Sequence, residues 1–234
     1  MKFSYSKAKI TKDWSRYLDG FEIWKPKHLL RCHGPLIMGV CLDSLRDPNA
    51  YKPVFHFHNL AYPSDVITLS LSGPLLSRGV YQPVKIQTHS EKLPGIVSQL
   101  KKQYPLIESV GLSFNDYLRT ISNYLSGKHG TVAAFRPNIY RDIVLLALYC
   151  GATDYANDSI IFLYNDLRNR TDYNMRLIGT PEKWKDEMQT INQSNVIATV
   201  ESQKETHKLK GLHDFGLVFE SPIEVEIVTK LNPS

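Results

Sequence analysis

Hydrophobic and polar positions follow two different periods along this chain, and the change from one to the other predicts its architecture. Leu36–Asp43 places Leu36, Met38, Val40 and Leu42 on one side, and Val66–Ser72 alternates Ile67, Leu69 and Leu71 with Thr68, Ser70 and Ser72. That period of two predicts strands with one buried face. Val54–Leu60 is a third strand, and Val80–Thr88 a fourth that Pro83 confines to an edge. Asp47-Pro48-Asn49 and Tyr62-Pro63-Ser64-Asp65 supply turns, and connections this short favour an antiparallel meander. Upstream, 11–20 reads as a short helix with Thr11 as N-cap, and Phe21–Trp24 as an extended piece.

Beyond Leu93 the period becomes that of a helix. Leu93–Tyr104 is stopped by Pro105. Ser113–Leu125 gathers Phe114, Tyr117, Leu118, Ile121, Tyr124 and Leu125 into one stripe, opened by a Ser113/Asp116 box. Asn138–Cys150 is nearly all apolar, which predicts a buried helix. Gly151 and a short turn join it to Asp154–Asn169 as an antiparallel hairpin. Further helices are expected from Pro181, with Trp184, Met188 and Ile191 inward, and over Asn195–Lys210. Ile223–Val228 alternates again and reads as a final strand that can rejoin the sheet.

The expected fold class is therefore α+β: an N-terminal, mostly antiparallel sheet of about four strands, then a helical C-terminal half. The division falls into a strand-rich part, 1–91, and a helical part, 92–234, forming one compact domain or two closely packed subdomains.

Composition sharpens this only in places. With 234 residues, 42% of them hydrophobic, the chain can bury a core without staples. Three scattered cysteines, Cys32, Cys41 and Cys150, do not make a disulfide scaffold, and the N-terminus lacks the apolar stretch of a signal peptide. The expectation is a cytoplasmic protein that does not enter the membrane. The net charge of +5 permits contact with nucleic acid, but Lys and Arg are spread along the chain. The densest groups are Lys25, Lys27, His28 and Arg31, then Arg168, Arg170 and Arg176, then Lys204, His207, Lys208 and Lys210.

Candidate chemistry is sparse. His56 and His58, two apart on a strand, leave the same face and could share a metal, but no third ligand lies in sequence reach. Phe55 and Phe57 then claim the core face and the histidines point outward. Cys32, His33 and Cys41 lack the paired short knuckles of structural zinc. Neither a phosphate-binding glycine loop nor a nucleophile elbow occurs, and Gly127–Thr131 follows a helix C-terminus, where the dipole repels anions. No metal and no cofactor is expected.

The 13 tyrosines and 3 tryptophans point elsewhere, because Tyr, Trp and Arg anchor protein interfaces. Tyr164, Arg168 and Arg170 fall on or at the end of the helix that begins at Asp154, with Tyr173 and Arg176 just beyond it. The sequence thus reads as a non-enzymatic interaction protein: a complex subunit, adaptor or inhibitor/immunity-type partner, binding another protein or a second copy of itself. The alternative is a hydrolase, most simply a nuclease with or without a metal, using His33, His56 and His58.

Overall fold

The computed structural model describes residues 6–126, 132–169 and 179–224, without the side chains of 126 and 132–135. By its internal contacts the chain divides into two compact units. The first contains Met1–His58, Val66–Leu112 and Lys208–Gly216; the second contains Asn59–Asp65, Ser113–His207 and Leu217–Ser234.

The first unit is built on an antiparallel meander in the order β1 (Glu22–Lys25), β2 (His28–His33), β3 (Leu36–Ser44), β4 (Ala50–Asn59) and β5 (Ser70–Pro74). Helix α1 (Lys7–Ser15) packs on β1 and β2, and α2 (His89–Gln103) packs on α1. The N-cap of α1 is Ser6, whose side chain accepts from Lys9 N–H, rather than Thr11. Thr11 is buried inside the helix and its hydroxyl accepts from Lys27 N–H at 2.6 Å.

Three strand readings change. His28–His33, which carries no clean alternation, is β2, paired with β3 along its whole length. Its polar residues Arg31 and His33 are buried, so tertiary partners and not periodicity place it in the sheet. The segment 66–69 is not strand; β5 begins at Ser70 and carries one extra residue opposite Phe55–Phe57. Leu71 there has φ 46°, the left-handed conformation of a bulge, which turns its side chain into the core while Val66 and Leu69 stay exposed. The expected fourth strand is two short pieces, Val80–Tyr81 and Val84–Lys85, of which the latter pairs with the start of β4.

His56 and His58 do not point outward to solvent. A sheet covered on one side only would expose every second residue of β4; instead every one of its ten residues but Lys52 is buried. Strand β3 is buried likewise from Leu36 to Leu42. Both faces of the sheet centre are covered, so alternation ceases to separate inside from outside.

The second unit is helical: α3 (Phe114–Ser126), α4 (Val132–Tyr149), α5 (Thr153–Arg168), α6 (Pro181–Thr190) and α7 (Gln193–Thr206). Helix α4 packs against α3, α5 and α7, and α5 against α6. The α3 stripe is buried as expected at Phe114, Tyr117, Leu118, Ile121 and Leu125. The Ser113/Asp116 box closes reciprocally, Asp116 N–H donating to Ser113 Oγ at 3.1 Å and Ser113 N–H to Asp116 Oδ2 at 3.1 Å. From Ile143 to Leu148 every α4 side chain is buried. Gly151, at φ 78°, ends that helix and turns the chain into α5. Within this core the Asp142 carboxyl accepts from Asn59 Nδ2 at 2.9 Å and from the Tyr117 hydroxyl at 3.2 Å. Burial pushes its pKa up, while Arg141 and these two donors oppose the shift. The expected strand at Ile223–Val228 lies outside the described residues from Val225 onward.

No described helix is long and apolar enough to cross a membrane.

Candidate functional site

The histidines singled out in the sequence are interior groups. His33, His56 and His58 are 0%, 0% and 2% exposed. Thr68 N–H donates to His58 Nδ1 at 3.1 Å, so that nitrogen carries the lone pair and the proton sits on Nε2. His33 has the opposite arrangement, its Nδ1–H donating to the Gly216 carbonyl at 3.3 Å. Burial, followed by the Arg31 charge, pulls His33 down to about 4. Burial, followed by His28, pulls His56 down to about 3. His56 meets no well-formed side-chain partner for either ring nitrogen among the described residues, a slight contact with the Phe57 backbone aside. Groups that are neutral at pH 7 and closed to solvent are poorly placed to exchange protons with a substrate. Among the described residues no three His, Cys, Asp or Glu side chains gather closely enough to hold a metal ion. Burial also pushes Cys41 and Cys150 up to about 11, so neither is an activated thiolate.

A polar chain that the sequence did not signal runs through the first unit. Trp14 Nε1–H donates to the Tyr51 oxygen at 2.9 Å. That leaves the Tyr51 hydroxyl proton for His89 Nδ1 at 2.7 Å, and so puts the imidazole proton on Nε2, 3.4 Å from Asp13 Oδ2. Trp14, Tyr51 and His89 are wholly buried. The chain joins α1, β4 and the first turn of α2, which begins at His89, four residues before the expected Leu93.

The interface residues divide. Tyr164 and Arg168 are brought together on α5; Arg170, Tyr173 and Arg176 lie outside the described residues. Ile161, Tyr164 and Arg168 stand at i, i+3 and i+7, one face of the helix, with Ile161 54% exposed. The face is braced from α6. The Tyr164 hydroxyl donates to Glu182 Oε1 at 3.2 Å, Arg168 Nε stands 3.9 Å from the same oxygen, and Lys185 Nζ lies 4.9 Å from the Tyr164 ring centre. Glu182 sits in the first turn of α6; its own backbone N–H, helped by Tyr164 and Arg168, holds its carboxyl below the usual range. An apolar side chain, an aromatic ring and a guanidinium are thus held side by side at the surface. The spacing on α5 was legible in the sequence, whereas the bracing from α6 was not.

Sequence reasoning also missed a cavity of about 370 Å³ in the first unit, bordered by Arg31, Lys101, Ile107, Glu108, Val110 and Phe215. Arg31 was visible only as a member of a basic group. Nothing local shows that β2 carries its guanidinium beneath the surface, 3% exposed.

Compared with protein-family models, with curated proteins and with solved structures, the chain matches none.

Proposed function

We propose that the chain works by binding a protein partner, as a complex subunit or adaptor, through the α5–α6 face. The observation that carries this reading is the Ile161–Tyr164–Arg168 stripe, with Ile161 and Arg168 exposed and Tyr164 half-buried, held in place by Glu182. Tyr and Arg side chains dominate interface energetics, and those already ordered before binding lose less rotamer freedom when a partner closes on them. The half-buried Tyr164 ring is flanked by two cations, Arg168 at 5.6 Å and Lys185 at 4.9 Å.

The test is affinity purification from the native cell with the wild-type chain and with Tyr164→Ala/Arg168→Ala, quantifying the same co-purifying protein. Loss of each anchor should weaken the complex by roughly 2 kcal/mol or more, with the chain still folded, checked by its melting curve, because Arg168 is exposed and Tyr164 only half-buried. Equal recovery by the two chains would refute the reading, as would recovery of nucleic acid alone.

A further inference from the structure

Arg31 is a buried cation whose charge the protein balances only in part. Its guanidinium donates to the backbone carbonyls of Asp19 and Ser109 and to that of Ile107 at 3.2 Å. These are three of the five N–H donors of the group. Nε is buried with no hydrogen-bond partner among the described residues. The rings of Phe21 and Phe215 lie 4.4 and 5.7 Å from the guanidinium carbon. No described ion pair includes Arg31. Carbonyl dipoles and aromatic faces satisfy hydrogen bonds and attract the cation, but they carry no net charge. A buried cation without a counter-charge is strongly unfavourable. The Asp19 carboxylate opposes the effect of burial only in part, since burial still wins and the pKa of Arg31 falls.

The cavity opens beside this group. Gly20 borders it at φ 75°, and a Cβ there would lie 3.0 Å from Arg31 Nε and 3.2 Å from the Phe215 ring. The missing side chain keeps the Nε edge clear. A second cation stands at the rim: Lys101 Nζ is 3.5 Å from Glu108 Oε1, a carboxylate 63% exposed that can swing into water when another anion arrives. Asp19 lines the cavity as a second acidic residue beside Glu108, and Ile107, Val110 and Phe215 supply the apolar remainder of the wall. A volume near 370 Å³ is within the range of small-molecule sites, which combine apolar walls with a few convergent polar groups.

We propose that this cavity binds a small organic anion, its carboxylate or phosphate group facing Arg31 and Lys101 and its flat or apolar body lying along Ile107, Val110 and Phe215. The bound anion supplies the missing counter-charge, and the aromatic and aliphatic wall selects a ligand with a hydrophobic portion. This site belongs wholly to the first unit, so it stands or falls independently of the α5–α6 face.

The test is calorimetric titration of the full chain with benzoate, phenyl phosphate and inorganic phosphate at constant ionic strength. Arg31 is deeply placed and its replacement can unfold the chain, so the variants are Lys101→Gln and Val110→Trp, the latter at a residue 73% exposed on the rim. Saturable binding of benzoate, phenyl phosphate or both is expected, weakened roughly tenfold in each variant at unchanged melting temperature. Preference between the two identifies the head group. Absence of saturable binding of either organic anion would overturn the proposal. So would binding that Val110→Trp leaves unchanged, or inorganic phosphate binding as tightly as phenyl phosphate.

Discussion

The imidazole of His56 occupies the space that a side chain at Gly39 would need: a Cβ there would stand 2.2 Å from Nε2 and 2.5 Å from Cε1. Gly39 lies on β3 between the buried Met38 and Val40, and the ring also stands edge-on to His28, 6.1 Å between centres. The glycine is therefore a packing requirement of the sheet, imposed by a neighbour and not by its own backbone angle. Gly39→Ala should destabilise the first unit by about 1–3 kcal/mol, the usual range for overfilling a packed core. Urea denaturation measures it. Combined with His56→Ala, the loss should be clearly smaller than the sum of the two single changes, because removing the ring removes the clash. Additive losses would show that the two residues do not share this space.

The buried histidines give the stability a definite pH dependence. In the unfolded chain they protonate near 6.5, whereas in the folded chain His33 waits until about 4 and His56 until about 3. Protons therefore bind the unfolded state first. The contribution is complete above about pH 6.5 and is lost as pH falls from there toward the folded values. Each histidine should add about 1.4 kcal/mol to the stability lost per pH unit in that window. His33→Gln should accordingly flatten the acid limb relative to wild type by about that slope, read from urea midpoints across the window. Parallel limbs would mean that His33 titrates normally in the folded chain.

What the sequence disclosed and what it concealed separate along physical lines. The α3 stripe, the nearly all-apolar second half of α4 and the Gly151 turn are set by local patterning and appear where the pattern puts them, although α4 itself begins at Val132, ahead of the expected Asn138. Strand β2 is different. Arg31 and His33 are polar residues on a buried strand, tolerated because Arg31 meets the carbonyls of Ile107 and Ser109 76 and 78 residues away and His33 meets Gly216 183 residues away. No window of sequence contains those partners. The same applies to the candidate interface: Ile161, Tyr164 and Arg168 share a helical face that counting residues can find, but Glu182 and Lys185 come from another helix. The cavity over Arg31 was invisible for a further reason, since its shape depends on the bare Gly20 and on a loop, 208–216, that belongs to the first unit by contact and not by sequence.

The helical core offers a direct check on the second unit. Leu146 is 0% exposed within α4, the helix against which α3, α5 and α7 all pack. Leu146→Ala removes buried methyl groups at a site surrounded on every side, where partial collapse leaves a void. The expected cost is about 2–5 kcal/mol. An unchanged melting curve would place the core of this unit elsewhere.

The claim that the α5–α6 face binds a protein partner is tested most directly by a photo-crosslinking residue placed at Ile161 in the chain expressed in its native cell. Val66, 64% exposed in the first unit, serves as the control position. The account predicts a discrete protein adduct from position 161, absent from position 66 and strongly reduced when Tyr164 and Arg168 are also changed to Ala. An adduct equally strong from both positions, one insensitive to the alanine pair, or one made of nucleic acid would contradict it.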